Sequence, residues 1–273
     1  MEGKRSFDQY QMPEELWQKM KSLLPNYPVH PSGGRPRADL RRVANAIFYR
    51  FRTGCQWKAI PPELASGSTA HQYFQEWVRL GVFAKLWAVA IEYYDDLIGL
   101  DWQWQSVDGA MTKAPLGGEK TGKNPTDRGK LGVKRSVLTE GRGVPLGVVV
   151  EGANVHDIRL LQATIEDCLE RLGRDRPPKE SHLCLDQGYN SAPIRLLVEA
   201  VYGYEVHIQS GEKAANKNPP GARPRRWVVE RTHSWLNRFR GILVRWEKKA
   251  ANHIAGLHLA CAYFTLRLAG VFG

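Results

Sequence analysis

The hydrophobic pattern of this chain changes once, near Leu100, and this change limits the folds open to it. Up to that point apolar residues recur every three or four positions, which is typical of amphipathic helices. One such helix spans 40–51, with Asp39 placed to cap its start and Gly54 placed to end it. Beyond Leu100 the pattern alternates, and it predicts strands at 102–108, 134–139 and 144–150.

Two regions are therefore predicted. Residues 1–100 form a helical domain whose short helices and tight turns are compatible with a helix-turn-helix module or with an ordinary helical bundle. Residues 101–273 form a second domain that begins with a β-meander and continues with alternating elements. These are a helix at 157–172, a strand at 182–186, a helix at 192–201 and a strand at 205–208. This order predicts an α/β (α+β) fold, a mixed sheet flanked by helices.

The charge balance favours a polyanionic partner. The sequence has 39 Lys and Arg against 28 Asp and Glu, a formal net charge of +11. Its four cysteines are far apart and form no CxxC pair, which argues against a disulfide framework or a zinc ribbon. The longest apolar runs fall well short of the ~20 residues that span a bilayer, and the N-terminus lacks the apolar stretch of a signal peptide. We therefore expect a soluble, cytoplasmic protein without a membrane partner.

Three acidic residues occupy settings suited to metal ions. Asp108 ends the first predicted strand, Asp186 ends the strand at 182–186, and Glu230 lies on an amphipathic, arginine-rich helix. Taken singly, each has a commoner explanation: a solvated strand end, a helix cap, or a surface ion pair between Glu230 and Arg226. Brought together by the fold, they would form a three-carboxylate site for two Mg²⁺ ions roughly 3.5–4 Å apart. Such a site points to phosphodiester chemistry on a nucleic acid.

The helix that carries Glu230 is predicted to have two distinct faces. Its apolar face runs from Val228 to Trp246, and the other face presents Arg226, Glu230 and Asn237 three or four residues apart. One side should therefore pack against the protein while the other presents a carboxylate among cations.

Several longer motifs carry a family resemblance that covers nearly the whole chain. They are Gly34–Phe48, Arg52–Trp57 with Ile60–Pro62, Val107–Gly109, Asp127–Lys130 with Gly132 and Lys134, Gly152–Asp157, Asp186–Tyr189, and Arg226–Arg231 with Trp235 and Arg238. In this order they resemble the DDE transposases of small bacterial insertion sequences, specifically insertion-sequence family five. The chain departs from the wider superfamily at Arg223 and Asn237, where relatives have a tyrosine and a lysine.

The resemblance implies a ribonuclease-H-like catalytic domain and a metal-dependent reaction that cuts and joins DNA. It implies Asp108, Asp186 and Glu230 as catalytic residues and metal ligands, with Mg²⁺ as cofactor and Mn²⁺ able to substitute. The partners would be double-stranded DNA, both the terminal inverted repeats of the element and the target. A homo-oligomer is expected because two DNA ends must be brought together, and a bacterial protein of this kind would be associated with the nucleoid.

Basic residues near these positions are candidates for contacts with DNA. An extended arm after the first helix could place arginines in a minor groove, although a flexible charged linker fits the same pattern. Asp157 is expected to cap the helix that starts there, with His156 beside it orienting a water or a phosphate. The full set of candidates is Arg35, Arg37, Arg41, Arg42, Lys130, Lys134, Arg135, His156, Arg226, Arg231 and Arg238.

Two other functions remain open on the sequence. A domesticated DNA-binding protein or repressor could use the helical domain without catalysis, and a hydrolytic nuclease could cut DNA without joining it. An intact acidic triad argues against the first, and a covalent donor–target product would exclude the second.

Overall fold

The computed structural model describes residues 10–28, 36–208 and 226–272. The N-terminal part contains four helices: α1 (Glu14–Lys21), α2 (Leu40–Thr53), α3 (Gly67–Arg79) and α4 (Val82–Ile98). The predicted ends of α2 are confirmed. The Asp39 carboxylate accepts hydrogen bonds from the amides of Arg41 and Arg42, and Gly54 ends the helix in a left-handed conformation with φ 74°. The predicted all-helical start of the chain is therefore present.

The rest of the described chain contains one six-stranded mixed sheet. Its strands are β1 (Trp104–Lys113), β2 (Gly122–Lys123), β3 (Leu131–Glu140), β4 (Pro145–Gly152), β5 (His182–Leu185) and β6 (Glu205–Ile208). β3 pairs antiparallel with β1 on one edge and with β4 and the short β2 on the other, while β5 pairs parallel with β1 and β6 parallel with β5. The order β4-β3-β1-β5-β6, an antiparallel meander extended by two parallel strands, is ribonuclease-H-like and confirms the predicted fold class.

Helices cover the sheet. They are α5 (Leu161–Arg171), α6 (Ala192–Leu196), α7 (Trp227–Leu236), α8 (Arg240–Leu243) and α9 (Ala250–Leu268). α5 packs on β3 and β4, and α7 packs on β1 and β3. The arginine-rich helix is shorter than the predicted apolar face. It ends at Leu236, and both Leu243 and Trp246 are exposed because the chain has turned away from the helix axis by then.

The last helix joins the two predicted regions in one core. α9 packs against α4, and it also touches α7 and β4. Buried residues of the N-terminal helices, the sheet and α9 form a single hydrophobic cluster. A buried ion pair between Arg50 of α2 and Glu247, which lies between α8 and α9, also links the N-terminal helices to the C-terminal part of the chain. The division into domains 1–100 and 101–273 stays a prediction.

Within the described ranges, no helix is both long enough and apolar enough to cross a membrane.

Candidate three-carboxylate site

The fold places Asp108 and Asp186 on neighbouring strands at the same level. The parallel register of β1 and β5 pairs Ser106 with Cys184, and continuing it by two residues brings Asp108 level with Asp186. Adjacent strands lie about 4.8 Å apart, so both carboxylates belong to one small region of the sheet. β5 ends at Leu185, so the part of β1 that follows Ser106 has no pairing with β5.

One detail of the prediction for Asp108 is wrong. Asp108 does not end its strand, because β1 continues to Lys113. The long partner strand β3 pairs with β1 throughout, from Gln105 opposite Glu140 to Lys113 opposite Gly132. Asp108 therefore sits in a firmly hydrogen-bonded strand, which fixes its backbone more rigidly than a strand end would.

Helix α7 brings Glu230 to the same region. The Nε2 atom of His233, three residues after Glu230, lies 3.3 Å from the backbone carbonyl oxygen of Asp108. Arg226, one turn before Glu230, donates from Nη2 to Glu230 Oε1 at 2.5 Å and from Nη1 to Asp186 Oδ2 at 3.1 Å. A single guanidinium thus connects the second and third acidic residues, and the helix that carries it touches the first.

The electrostatics of Asp108 reflect this crowding. Burial raises the pKa of its carboxyl from 3.8 to about 6, and the nearby Asp186 and Glu230 act in the same direction. A hydrogen bond from the Gly109 amide at 2.8 Å and the charge of Arg226 oppose the rise. The region therefore concentrates more negative charge than its one arginine offsets.

A fourth carboxylate, Asp157, borders the site. It follows β4 at the start of a short 3-10 turn, and its Oδ2 accepts from Lys134 Nζ at 2.8 Å. A Cβ atom at position 109 would lie only 1.9 Å from Asp157 Oδ1, so the glycine after Asp108 makes room for this carboxylate. The expectation that Asp157 caps a helix is wrong: His156 takes that role, with Nδ1 accepting from the Ile158 amide at 3.4 Å.

Tyr189 lies close to these acidic groups. Its ring is buried, and burial raises the pKa of its hydroxyl well above the ordinary value, with Asp157, Asp108 and Asp186 all contributing. Because one phenol lies within the electrostatic reach of the three aspartates, they share one neighbourhood.

The candidate DNA contacts occupy different settings in the structure. Arg226 lies within the site, and Lys134 borders it but is buried in its pair with Asp157. Lys130, His156, Arg37, Arg42 and Arg238 have exposed side chains. Arg41 is held at the start of α2 by Glu14 at 3.1 Å and by the Met12 carbonyl at 2.8 Å. Arg35 lies outside the described residues.

Arg135 and Arg231 are also engaged within the protein. The predicted phosphate contact of Arg135 does not fit its position, because the residue is only 2% exposed. It donates to His233 Nδ1 at 3.2 Å and to Asn237 Oδ1 at 2.7 Å. These hydrogen bonds connect β3 to the C-terminal end of α7. Arg231 donates to the Arg142 carbonyl and lies near the rings of Trp227 and Trp235, at 4.7 and 4.6 Å from their centroids.

Sequence reasoning missed His233, which touches both Arg135 and Asp108. The available signal was its position three residues after Glu230, which puts both side chains on adjacent turns of the same helix.

The donor set fits a divalent cation. Carboxylate oxygens from β1, from the end of β5 and from α7 are the hard ligands that Mg²⁺ prefers. The structure already places one positive group, the Arg226 guanidinium, between Asp186 and Glu230. A cation at this position would offset the same charge, and Asp108, Asp186 and Glu230 would hold it.

A sheet of this order, with one carboxylate on β1, one just after β5 and one on a helix that packs on β1 and β3, defines a ribonuclease-H-like protein with an acidic site. Residues 104–265 match the family model described as "Transposase DDE domain". Residues 12–87 match a second model, "Putative transposase of IS4/5 family". The chain belongs to the DDE transposase family of insertion sequences, whose chemistry is DNA transposition.

The chain is also similar to two proteins of an insertion element and to a solved structure. The chain is 37% identical over 147 residues, 53% of its length and 68% of the relative, to the "Putative transposase for insertion sequence element IS402" of Burkholderia cepacia. It is 27% identical over 118 residues, 41% of its length and 79% of the relative, to the "Insertion element IS402 uncharacterized 16.2 kDa protein" of the same organism. Among solved structures, a pre-cleavage Mos1 transpososome aligns over 84% of this chain and 85% of the Mos1 chain, with 12% identity and a TM-score of 0.30.

Proposed function

We propose that this protein is an active transposase that binds the ends of its insertion sequence, cleaves them and joins them to target DNA. Asp108, Asp186 and Glu230 would be the catalytic residues and the metal ligands. The observation that carries this proposal is the convergence of the three carboxylates: Asp108 and Asp186 are level on adjacent strands, and Arg226 connects Asp186 with Glu230.

DDE transposases use divalent metals, and we expect two Mg²⁺ ions here, with Mn²⁺ able to substitute. When bound, such ions lower the pKa of an attacking water and stabilise the leaving oxygen of a phosphodiester. Asp108, on a central strand of the sheet with Asp186 level with it, would hold such ions together with Asp186 and Glu230. The residues of the chain supply positioning and charge, which are the main sources of rate enhancement in phosphoryl transfer.

Arg226 would change partners during the reaction. In the structure it offsets the charges of Asp186 and Glu230. If these carboxylates held cations instead, the Arg226 guanidinium would be free to bind a DNA phosphate, for which its planar fork of donors is well suited. The same arginine would then position the scissile strand.

DNA binding is proposed on electrostatic grounds. The chain has a net charge of +11, and Lys130 and Arg238 present exposed cations in the part of the chain that carries the site. Arg37 and Arg42 do so on the N-terminal helical part. Two element ends must be held together for joining, so the working form should be a homo-oligomer on double-stranded DNA.

The test is an assay of cleavage and joining on DNA that carries the element ends, with Mg²⁺. Asp108→Asn, Asp186→Asn and Glu230→Gln should each abolish cleavage while end binding is retained. Asp175→Asn and Glu199→Gln are matched controls, because both residues are exposed and lie outside β1, β5 and α7, the elements that position the carboxylates. A variant of the triad that still cleaves would remove that residue from the proposal.

The products separate the alternative functions. Wild-type protein should give a covalent donor–target product. Nicks without that product would identify a hydrolytic nuclease, and end binding without any nicking would identify a DNA-binding protein that has lost catalysis.

A further inference from the structure

A second cluster of ligand-type side chains lies at the other end of β5. His182 begins β5 and is paired with Glu205 of β6, and His207 follows two residues later on the same face of β6. His182 Nδ1 lies 2.9 Å from His207 Nε2 and 3.3 Å from Glu205 Oε2, and His207 Nε2 lies 3.5 Å from Glu205 Oε1. Among the described residues this is the one group of three such side chains whose ligand atoms all lie within 4.8 Å of one another.

These distances match a tetrahedral transition-metal site. Zinc binds imidazole nitrogen and carboxylate oxygen at about 2.0–2.2 Å, so neighbouring ligand atoms around it are about 3.3 Å apart. The two nitrogens lie 2.9 Å apart, and they lie 3.3 and 3.5 Å from the two different oxygens of Glu205, so the cluster has the size of such a ligand shell. We propose that His182, Glu205 and His207 form a binding site for a Zn²⁺-type cation, with water as the fourth ligand.

The surroundings favour an ion of this class over Mg²⁺. Imidazole is a ligand of Zn²⁺, Co²⁺ and Ni²⁺, whereas Mg²⁺ prefers oxygen donors only. The Trp104 ring stacks on His182 with centroids 4.4 Å apart, which fixes the orientation of that imidazole. The His207 and Glu205 side chains are 38% and 66% exposed, so a fourth position can be filled from solvent.

This site is separate from the three carboxylates. His182 is the first residue of β5 and Asp186 follows its last, so the two ends are about 13 Å apart at the rise of a β-strand. An ion here would join β5 to β6, the edge strand of the sheet. The site would therefore stabilise the strand that leads to Asp186 without taking part in phosphodiester chemistry, and it does not depend on the proposed function.

Co²⁺ is the probe for the first test, because its visible absorption reports imidazole ligands. Untagged protein is titrated with Co²⁺ in excess Mg²⁺, which occupies oxygen-only sites. The Asp108→Asn/Asp186→Asn variant should retain one Co²⁺ per chain with absorption bands of a four-coordinate site. His207→Asn should lose these bands, while His156→Asn, an exposed histidine outside the cluster, should keep them. Bands that survive in His207→Asn, or that vanish in the carboxylate variant, would overturn the proposal.

A second measurement needs no variant and guards against misfolding of His207→Asn. Wild-type protein is modified with diethyl pyrocarbonate, and each histidine is followed by mass spectrometry. Zn²⁺ should protect His182 and His207, whereas Mg²⁺ should protect neither, and His156 should react equally in both. Equal reactivity of His182 and His207 with and without Zn²⁺ would overturn the proposal. The cluster would then be held only by the His–His hydrogen bond and the pairs with Glu205.

Discussion

Replacing Asp108 with Asn should abolish cleavage and at the same time stabilise the metal-free protein. The pKa of the Asp108 carboxyl is about 6 in the folded chain, against 3.8 ordinarily, chiefly because of burial. At about 1.4 kcal/mol per pKa unit, keeping this group ionised at neutral pH costs the fold about 3 kcal/mol. Asn has the same shape and still offers an oxygen to the Gly109 amide, so it removes the charge and leaves the hydrogen bond.

The sign of the pH dependence follows from the raised pKa. Below about pH 4 the carboxyl is protonated in the folded and the unfolded chain, and Asp108 contributes no penalty. As pH rises from about 4 to about 6, the unfolded chain loses its proton first, so the folded state is progressively destabilised. The gain from Asp108→Asn should therefore be full above about pH 6 and should vanish below about pH 4.

Thermal unfolding in EDTA, followed by circular dichroism, measures this effect. For a chain of this size, about 3 kcal/mol corresponds to an increase in Tm of roughly 5–10 °C at pH 7.5. Asp175→Asn, an exposed Asp-to-Asn change, should not shift the Tm at either pH. Added Mg²⁺ should raise the Tm of the wild type but not that of Asp108→Asn, because binding to the folded state is lost with the ligand. A variant no more stable than the wild type at pH 7.5, or equally stabilised at pH 4, would refute the reasoning.

Three further predictions concern the supports of the site and its DNA. Arg135→Met should lower the free energy of unfolding by about 2–4 kcal/mol, because it breaks the buried contacts to His233 and Asn237; urea denaturation measures this, with Lys130→Met as the exposed control. Gly109→Ala should reduce cleavage and stability together, since its Cβ would displace Asp157 from Lys134; an unchanged cleavage rate would contradict this packing. Affinity for element-end DNA should fall steeply with salt, and Lys130→Ala and Arg238→Ala should each lower the slope of log K against log salt by about 1; filter binding at several salt concentrations tests this, and a salt-insensitive complex would contradict it.

Much of the fold follows from local sequence signals. The ends of α2 are set by Asp39 and Gly54, whose roles depend only on the residues next to them. The order of a meander followed by two strands with helices between them is sufficient to predict the mixed sheet. The level placement of Asp108 and Asp186 instead depends on the register between β1 and β5, because Asp108 lies within its strand and Asp186 just after the end of its own.

The errors arise where contacts link distant parts of the chain. In β3 every residue after Leu131 is buried, so the strand is covered on both faces, and Lys134 and Arg135 are enclosed rather than exposed. Their partners, Asp157 and His233, lie 23 and 98 residues away. Helix α9 was missed for a related reason: its buried residues surround the helix axis, so no polar face marks its period.

These long-range contacts also explain how Glu230 is held in place relative to Asp108. Burial and the nearby Arg135 lower the pKa of His233 to about 3, so its imidazole is neutral at physiological pH. Since Arg135 Nε donates to Nδ1, the single imidazole proton must lie on Nε2, which then donates to the Asp108 carbonyl at 3.3 Å. A directional chain of hydrogen bonds therefore runs from β3 through α7 to β1 and orients the helix that carries Arg226 and Glu230. A protonated His233 could not accept from Arg135, so the buried arginine and the neutral histidine depend on each other, and together they tie α7 to the strands on which it packs.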